Sequence, residues 1–232
     1  MRIIGSYLSP YVRKVLACLE LKGLAYEIDP ITPFMGDDRF TALSPLRRVP
    51  VLIDDRVTLA DSSVICQYLE DRYPVPALYP ADVVDRAHAR WLEEYADSRM
   101  GDVFIWGLFN HAVIEPAVWG KPRDLAAIQR IVAEDVPPVL DYLETQLPAE
   151  RFLFGTLGLA DISIAVFLRN AAFARYKVDV TRWPRTAGFI DRVLAQECLA
   201  KLQAFEAVML RTPIPEHRAA LAAAGAPVSA ET

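Results

Sequence analysis

The 232-residue chain is 53% hydrophobic and 24% charged, with a formal net charge of −5. A sizeable core is available to such a chain, and the acidic balance excludes a non-specific nucleic-acid binder, which needs a basic surface. No apolar run approaches the ~18–20 residues that cross a bilayer, and no basic stretch leads into a long apolar one, so neither a membrane partner nor a secretory leader is expected.

In chain order, MRIIGSY reads as a buried strand. Val12, Val15, Leu16 and Leu19 follow at helical spacing, and Gly23 is placed to end that helix. AYEID alternates as a second strand, and PFMGDDRFTALSP reads as an irregular or short helical connection. VPVLIDD and VTLA are short apolar runs on either side of a polar turn, which predicts an antiparallel hairpin. DSSVICQYLEDRYP is a helix with a polar start. The order βαβ, connection, ββα gives one parallel and one antiparallel strand pair. These elements make an α/β domain over residues 1–80.

Residues 81–86 read as a linker, where proline and charge replace the apolar rhythm. Beyond Val84 nothing resembles a strand. Helical patterns cover 84–112, 123–147, 159–175, 184–195 and 197–210, with an interruption expected at Pro137-Pro138. An all-helical domain is therefore expected over 87–212, and residues 213–232 read as a flexible tail, mobile beyond Gly225. Cys18, Cys66 and Cys198 are far apart, odd in number and set in apolar helical patterns. They read as reduced core thiols of a cytoplasmic protein. His88, His111 and His217 lack ligand spacing, so no metal is expected.

Three stretches carry chemistry. In SPYVRKV, Ser9 precedes Pro10 at a helix start. It reads either as an N-cap or as a hydroxyl donor to a thiolate or oxyanion held at the helix amino end. In RRVPVL, Pro50 interrupts a strand-like run. It is either an edge-strand proline or a cis peptide that turns the Val49 backbone toward an extended, peptide-like ligand. In ADSSVI, the serines cap a helix and make a compact carboxylate site, while Asp61 is placed to accept from an ammonium group. A ligand with an amino-acid end finds both partners there.

Together with FLFGTLGLADISIA and RWPRTAGFIDRV, these stretches resemble the soluble glutathione transferase superfamily, in its Ser-type, bacterial-like form. The resemblance runs from Met1 to about Leu210 and rests on five motifs in order. It implies a thioredoxin-like N-terminal domain, an all-α C-terminal domain, and glutathione as co-substrate. By that resemblance Ser9 donates to the glutathione sulfur and favours its thiolate, without acting as base or nucleophile. Val49, before Pro50, pairs its backbone with the cysteinyl part. Asp61 and Ser62 hold the γ-glutamyl end, and Arg48 meets the glycyl carboxylate, with Arg47 as competitor. Tyr7, taken as the end of the first strand, is the rival activator, and period-two alternation sets Ser6 and Tyr7 on opposite faces. Cysteine is absent at position 9, which disfavours mixed-disulfide chemistry. Gly158 stands where the family usually has Ser or Thr, so half of a capping box is missing, and Asp161 is expected to support its helix by accepting backbone N–H groups.

The electrophile is expected between the domains, against Tyr11, Phe34, Met100, Phe104, Trp106, Phe109 and Asn110, although an aromatic stripe at helical spacing reads equally as core. The resemblance further implies a homodimer in which Asp97, Ser98 or Arg99 reaches the neighbouring site. A solvated helix face is the other reading of that charge. The implied function is a glutathione transferase acting on a small hydrophobic electrophile, in the manner of detoxification enzymes. The alternatives are a glutathione-dependent isomerase, dehalogenase or ether-cleaving lyase, or a non-catalytic interaction protein.

Overall fold

The computed structural model describes residues 1–230. They divide into two compact units, Met1–Ala77 with the segment from Glu197 onward, and Leu78–Gln196.

The first unit is built on a four-stranded mixed sheet of order β2-β1-β3-β4. β1 (Arg2–Gly5) lies inside, parallel to β2 (Glu27–Pro30) and antiparallel to β3 (Val51–Ile53), with Ile3 opposite Ile28 and Leu52. A parallel pair needs a crossover, and α1 (Pro10–Leu21) supplies it. β3 and β4 (Thr58–Ala60) form the expected hairpin. One Asp54 carboxylate oxygen accepts the Arg56 and Val57 N–H groups at 2.8 Å each. The other takes the Tyr68 hydroxyl and Arg72 of α3 (Ser62–Arg72), which fixes the turn to that helix. The connection is a 3₁₀ turn (Pro33–Met35) followed by the short α2 (Asp38–Leu43). Ile3, Val12, Val15, Leu16, Leu19, Ile28, Leu52, Ile65 and Leu69 are fully enclosed. A Cβ on Gly5 would stand 2.5 Å from a Val12 methyl, so a glycine there lets α1 start close against the strand.

α10 (Glu197–Arg211) and α11 (His217–Ala223) complete this unit. The stretch taken as a tail is folded as far as it is described, and its last two positions lie outside the described residues. Val228 forms a parallel bridge with Ile28. The Ile28 N–H donates to the Pro227 carbonyl at 2.7 Å, and the Ser229 N–H donates to Ile28 at 2.9 Å. Arg218 adds an ion pair with Asp29 and a bond to the Ser229 carbonyl. An open strand edge offers unpaired backbone groups, and these residues satisfy those of Ile28 on β2. Alanine-rich composition carried no sign of that pairing.

The second unit is helical throughout apart from an isolated bridge between Phe154 and Thr156. The stretch read as one helix over 84–112 is α4 (Val83–Tyr95) continued by a wider-wound π segment (Ala96–Ile114) and α5 (Glu115–Trp119). The interruption expected at Pro137-Pro138 is also a change of winding. α6 (Leu125–Arg130) passes through a π turn (Ile131–Asp135) into α7 (Val136–Gln146), whose first turn holds the prolines. α8 (Leu159–Phe173) is buried along most of its length. α9 (Pro184–Leu194) has no cap of its own, and Glu144 of α7 accepts its Arg185 and Thr186 N–H groups at 2.9 Å each. Among the described residues, no helix is long and apolar enough to cross a membrane.

Candidate functional site

Ser9 is the N-cap of α1, with extended backbone (φ −80°, ψ 125°), and its oxygen accepts the Val12 N–H at 3.4 Å. Among the described residues its hydroxyl hydrogen has no acceptor, so a partly exposed O–H remains beside the unpaired N–H groups of the first turn. Capping uses the oxygen lone pair and donation uses the hydrogen. The two readings of Ser9 are therefore compatible in one geometry.

Tyr7 lies differently from its sequence reading. β1 ends at Gly5, so Tyr7 sits in the turn after the strand, and strand alternation no longer governs Ser6 and Tyr7. The Tyr7 side chain is fully enclosed, its ring 5.0 Å from that of Phe205. Its hydroxyl has no hydrogen-bond partner among the described residues, and burial pushes its pKa far above the ordinary phenol value. Nearby, Tyr26 donates to Glu20.

Val49 and Pro50 are joined by a cis peptide directly before β3. The two arginines before them separate clearly. Arg47 has a left-handed φ of 51°, and its guanidinium donates to the Gly36 carbonyl at 2.6 Å and to the Thr41 hydroxyl. Arg48 is fixed through its backbone, with its N–H on the Ser44 hydroxyl at 3.0 Å and its carbonyl accepting from the same hydroxyl at 2.8 Å. Its exposed side chain has no partner among the described residues.

Asp61 caps α3 with one oxygen, which accepts the Ser63 and Val64 N–H groups at 2.9 and 3.1 Å. The second oxygen is uncommitted among the described residues. Its backbone, at φ 118° and ψ 126°, lies where a side chain is strained, at a cost on the order of 1–3 kcal/mol. Ser62, the first residue of α3, is 4% exposed. Behind it the enclosed Lys14 donates to the Ser63 hydroxyl at 3.0 Å.

Two further features of this region were not assigned in the sequence. Arg13 and Lys14 are enclosed charges on a helix otherwise packed through Val12, Val15, Leu16 and Leu19. Two adjacent basic residues within an apolar repeat were the available signal. The contribution of α10 to the first unit had none, because its apolar spacing suits any helix.

The expected electrophile residues fall on both units. Tyr11 on α1 and Phe34 in the 3₁₀ turn are half-buried in the first unit. In the second unit Met100, Phe104 and Phe109 are packed away at 0, 0 and 5% exposed. Four-residue spacing sets Met100 and Phe104 on the inward face. Trp106 falls on the outward face at 50% exposed, as does Trp119 at 54%, and Asn110 is intermediate. Trp106 lines a groove of about 250 Å³ with Arg99, Asp102, His111, Arg130 and Asp135 among its walls. Asp135 bridges the two arginines, so their charge there is partly spent.

Asp161 is a folding residue, as expected. It is 1% exposed and accepts the Leu153 and Gly158 N–H groups at 2.8 and 2.9 Å. Burial pushes its carboxyl up to about 6 against the pull of those two donors. Gly158 also has a physical reason. A Cβ there would stand 2.9 Å from the Leu78 carbonyl, which accepts the Leu159 N–H at 2.9 Å. A carbonyl from outside the helix thus satisfies the first N–H of α8.

A family model for the glutathione S-transferase N-terminal domain matches residues 3–77, and one for the C-terminal domain matches residues 125–192. A maleylacetoacetate isomerase of Pseudomonas aeruginosa is 30% identical over 203 residues, covering 84% of this chain and 92% of its own. A glutathione S-transferase crystal structure from Rhodospirillum rubrum superposes with a TM-score of 0.79 at 28% identity, over 87% of this chain and 90% of that one. Another, from Methylobacterium radiotolerans in complex with glutathione sulfonate, gives 0.71 at 26% identity, over 86% and 92%. A thioredoxin-like sheet unit and a helical unit, both matched in order, with a relative of 30% identity across most of both chains, place this chain in the glutathione S-transferase superfamily.

Proposed function

We propose that the protein is a glutathione-dependent enzyme in which Ser9 stabilises the thiolate of bound glutathione for attack on a small hydrophobic electrophile. The observation that carries this reading is the uncommitted Ser9 hydroxyl hydrogen at the amino end of α1. A thiolate there gains a hydroxyl donor and the partial positive charge of the helix end, both of which favour it over the thiol. The enclosed Tyr7 phenol supports Ser9 over its rival. Val49 and Pro50 take the cysteinyl backbone, Asp61 and Ser62 the γ-glutamyl end, and Arg48, with its uncommitted guanidinium, the glycyl carboxylate. Tyr11 and Phe34 of the first unit are the electrophile contacts this reading proposes. A homodimer is part of the same proposal by family analogy.

A Ser9→Ala variant tests it. Glutathione binding should persist while the ultraviolet thiolate absorbance of the bound sulfur is largely lost. Persistent thiolate in that variant would reduce Ser9 to a cap.

The P. aeruginosa relative favours a second reading, a glutathione-dependent cis–trans isomerase. The same thiolate would add to an activated double bond, allow rotation about the resulting single bond, and leave again. Stoichiometry separates the two. A transferase consumes one glutathione per product, whereas an isomerase returns it, so free thiol measured before and after turnover of a cis-enedione gives the answer.

A further inference from the structure

The turn that carries Ser9 is closed by the Ser9 N–H on the Ser6 carbonyl at 3.0 Å. α10 backs this turn at three side chains. Phe205 packs on the Tyr7 ring, and the Met209 sulfur takes the Ser6 hydroxyl at 3.6 Å. Beside them Glu206 pairs with Arg13 at 3.3 Å, the two side chains being 3% and 1% exposed. The same Arg13 Nη1 donates to the Tyr7 carbonyl at 3.3 Å. A buried ion pair seldom stabilises a fold more than apolar side chains of equal volume, because both charges lose their water. This one grips the Tyr7 carbonyl, two residues before the proposed thiolate donor.

We infer that the Arg13–Glu206 pair positions Ser9. Glu206 holds the Arg13 guanidinium, Arg13 holds the Tyr7 carbonyl, and the direction of the next two residues follows. That direction aims the Ser9 hydroxyl and the first-turn N–H groups at the sulfur. Both residues act through Ser9 and touch no ligand, so they are positioning residues. The inference rests on the reading that Ser9 meets the glutathione sulfur. Placement matters because a displacement on the order of 1 Å can cost up to about a hundredfold in such a site.

The test uses the full chain with glutathione as probe. The parent is compared with Glu206→Gln and with a paired Arg13→Met, Glu206→Leu variant. Two quantities are read: the dissociation constant, and the pH midpoint of the bound thiolate absorbance. In both variants the midpoint should rise by about one unit, or about tenfold less thiolate below it. Affinity should stay within about threefold of the parent. Apolar replacement of both partners keeps the packing, so the paired variant carries the test if Glu206→Gln does not fold. A parental midpoint in the paired variant overturns the inference, as does lost affinity with an unmoved midpoint. Failure of the paired variant to fold also overturns it, since the pair would then serve folding. The underlying reading fails separately: Ser9→Ala would leave the parent midpoint unmoved. A Ser9 effect without a Glu206 effect removes only the positioning role.

Discussion

At the scale of single residues, Asp161 shows how one carboxyl can order a helix start at an electrostatic cost. Its folded pKa, near 6, lies above the ordinary 3.8, so the folded state binds the extra proton. Its contribution to stability therefore falls as pH rises from about 4 to about 6, by up to about 3 kcal/mol. Asp161→Asn keeps one acceptor and loses the other, at a cost of about 1–3 kcal/mol at pH 4. The variant lacks this titration, so the gap to the parent narrows as pH rises. Urea unfolding at several pH values reads this directly, and a gap that widens contradicts it. The arginines make a second residue-scale case. Arg48→Ala should weaken glutathione binding by about 1 kcal/mol, the exposed site discounting a charged hydrogen bond. Arg47→Ala should lower the melting temperature through its lost Gly36 and Thr41 bonds and leave affinity nearly unchanged. The opposite pattern in a titration would exchange the two roles. The sequence could not choose between neighbouring arginines, because the choice depends on which guanidinium already has partners.

At the scale of elements, the strands and helices followed from apolar spacing wherever burial was one-sided. Val12, Val15, Leu16 and Leu19 announced α1, and the two runs around Asp54-Asp55-Arg56 announced the hairpin. The spacing could not reveal winding. Residues 96–114 keep a near-continuous apolar pattern, yet the Glu115 N–H bonds the Asn110 carbonyl five residues back. Five-residue closure turns side chains more slowly around the axis, and Trp106 faces outward. The C-terminal segment was missed for a different reason. Pro227, Val228 and Ser229 pair through backbone atoms, which leave no mark in composition. Deleting residues from Pro227 onward should bare the Ile28 backbone, lower the melting temperature, and promote concentration-dependent association through the β2 edge. Light scattering over a concentration series checks this, and an unchanged profile would show that the edge is protected otherwise.

At the scale of the whole molecule, the division into a sheet unit and a helical unit was legible, and its boundaries were not. Composition placed residues 197–212 with the helices before them, but the observed partition places α10 with the sheet. The proposed site was legible where chemistry is local. Ser9, Val49-Pro50 and Asp61-Ser62 each announce themselves within six residues of chain. It was illegible where residues act across long separation, as Glu206 does on Arg13. Within the second unit, helical spacing could not tell the enclosed Met100 and Phe104 from the exposed Trp106.

The most direct measurement is a paired titration of the parent protein with glutathione. Binding should saturate, and the sulfur of the bound tripeptide should lose its proton at least about one unit below the ordinary thiol pKa of ~8.5. Saturable binding with an unshifted thiol, or no binding at all, would contradict the account.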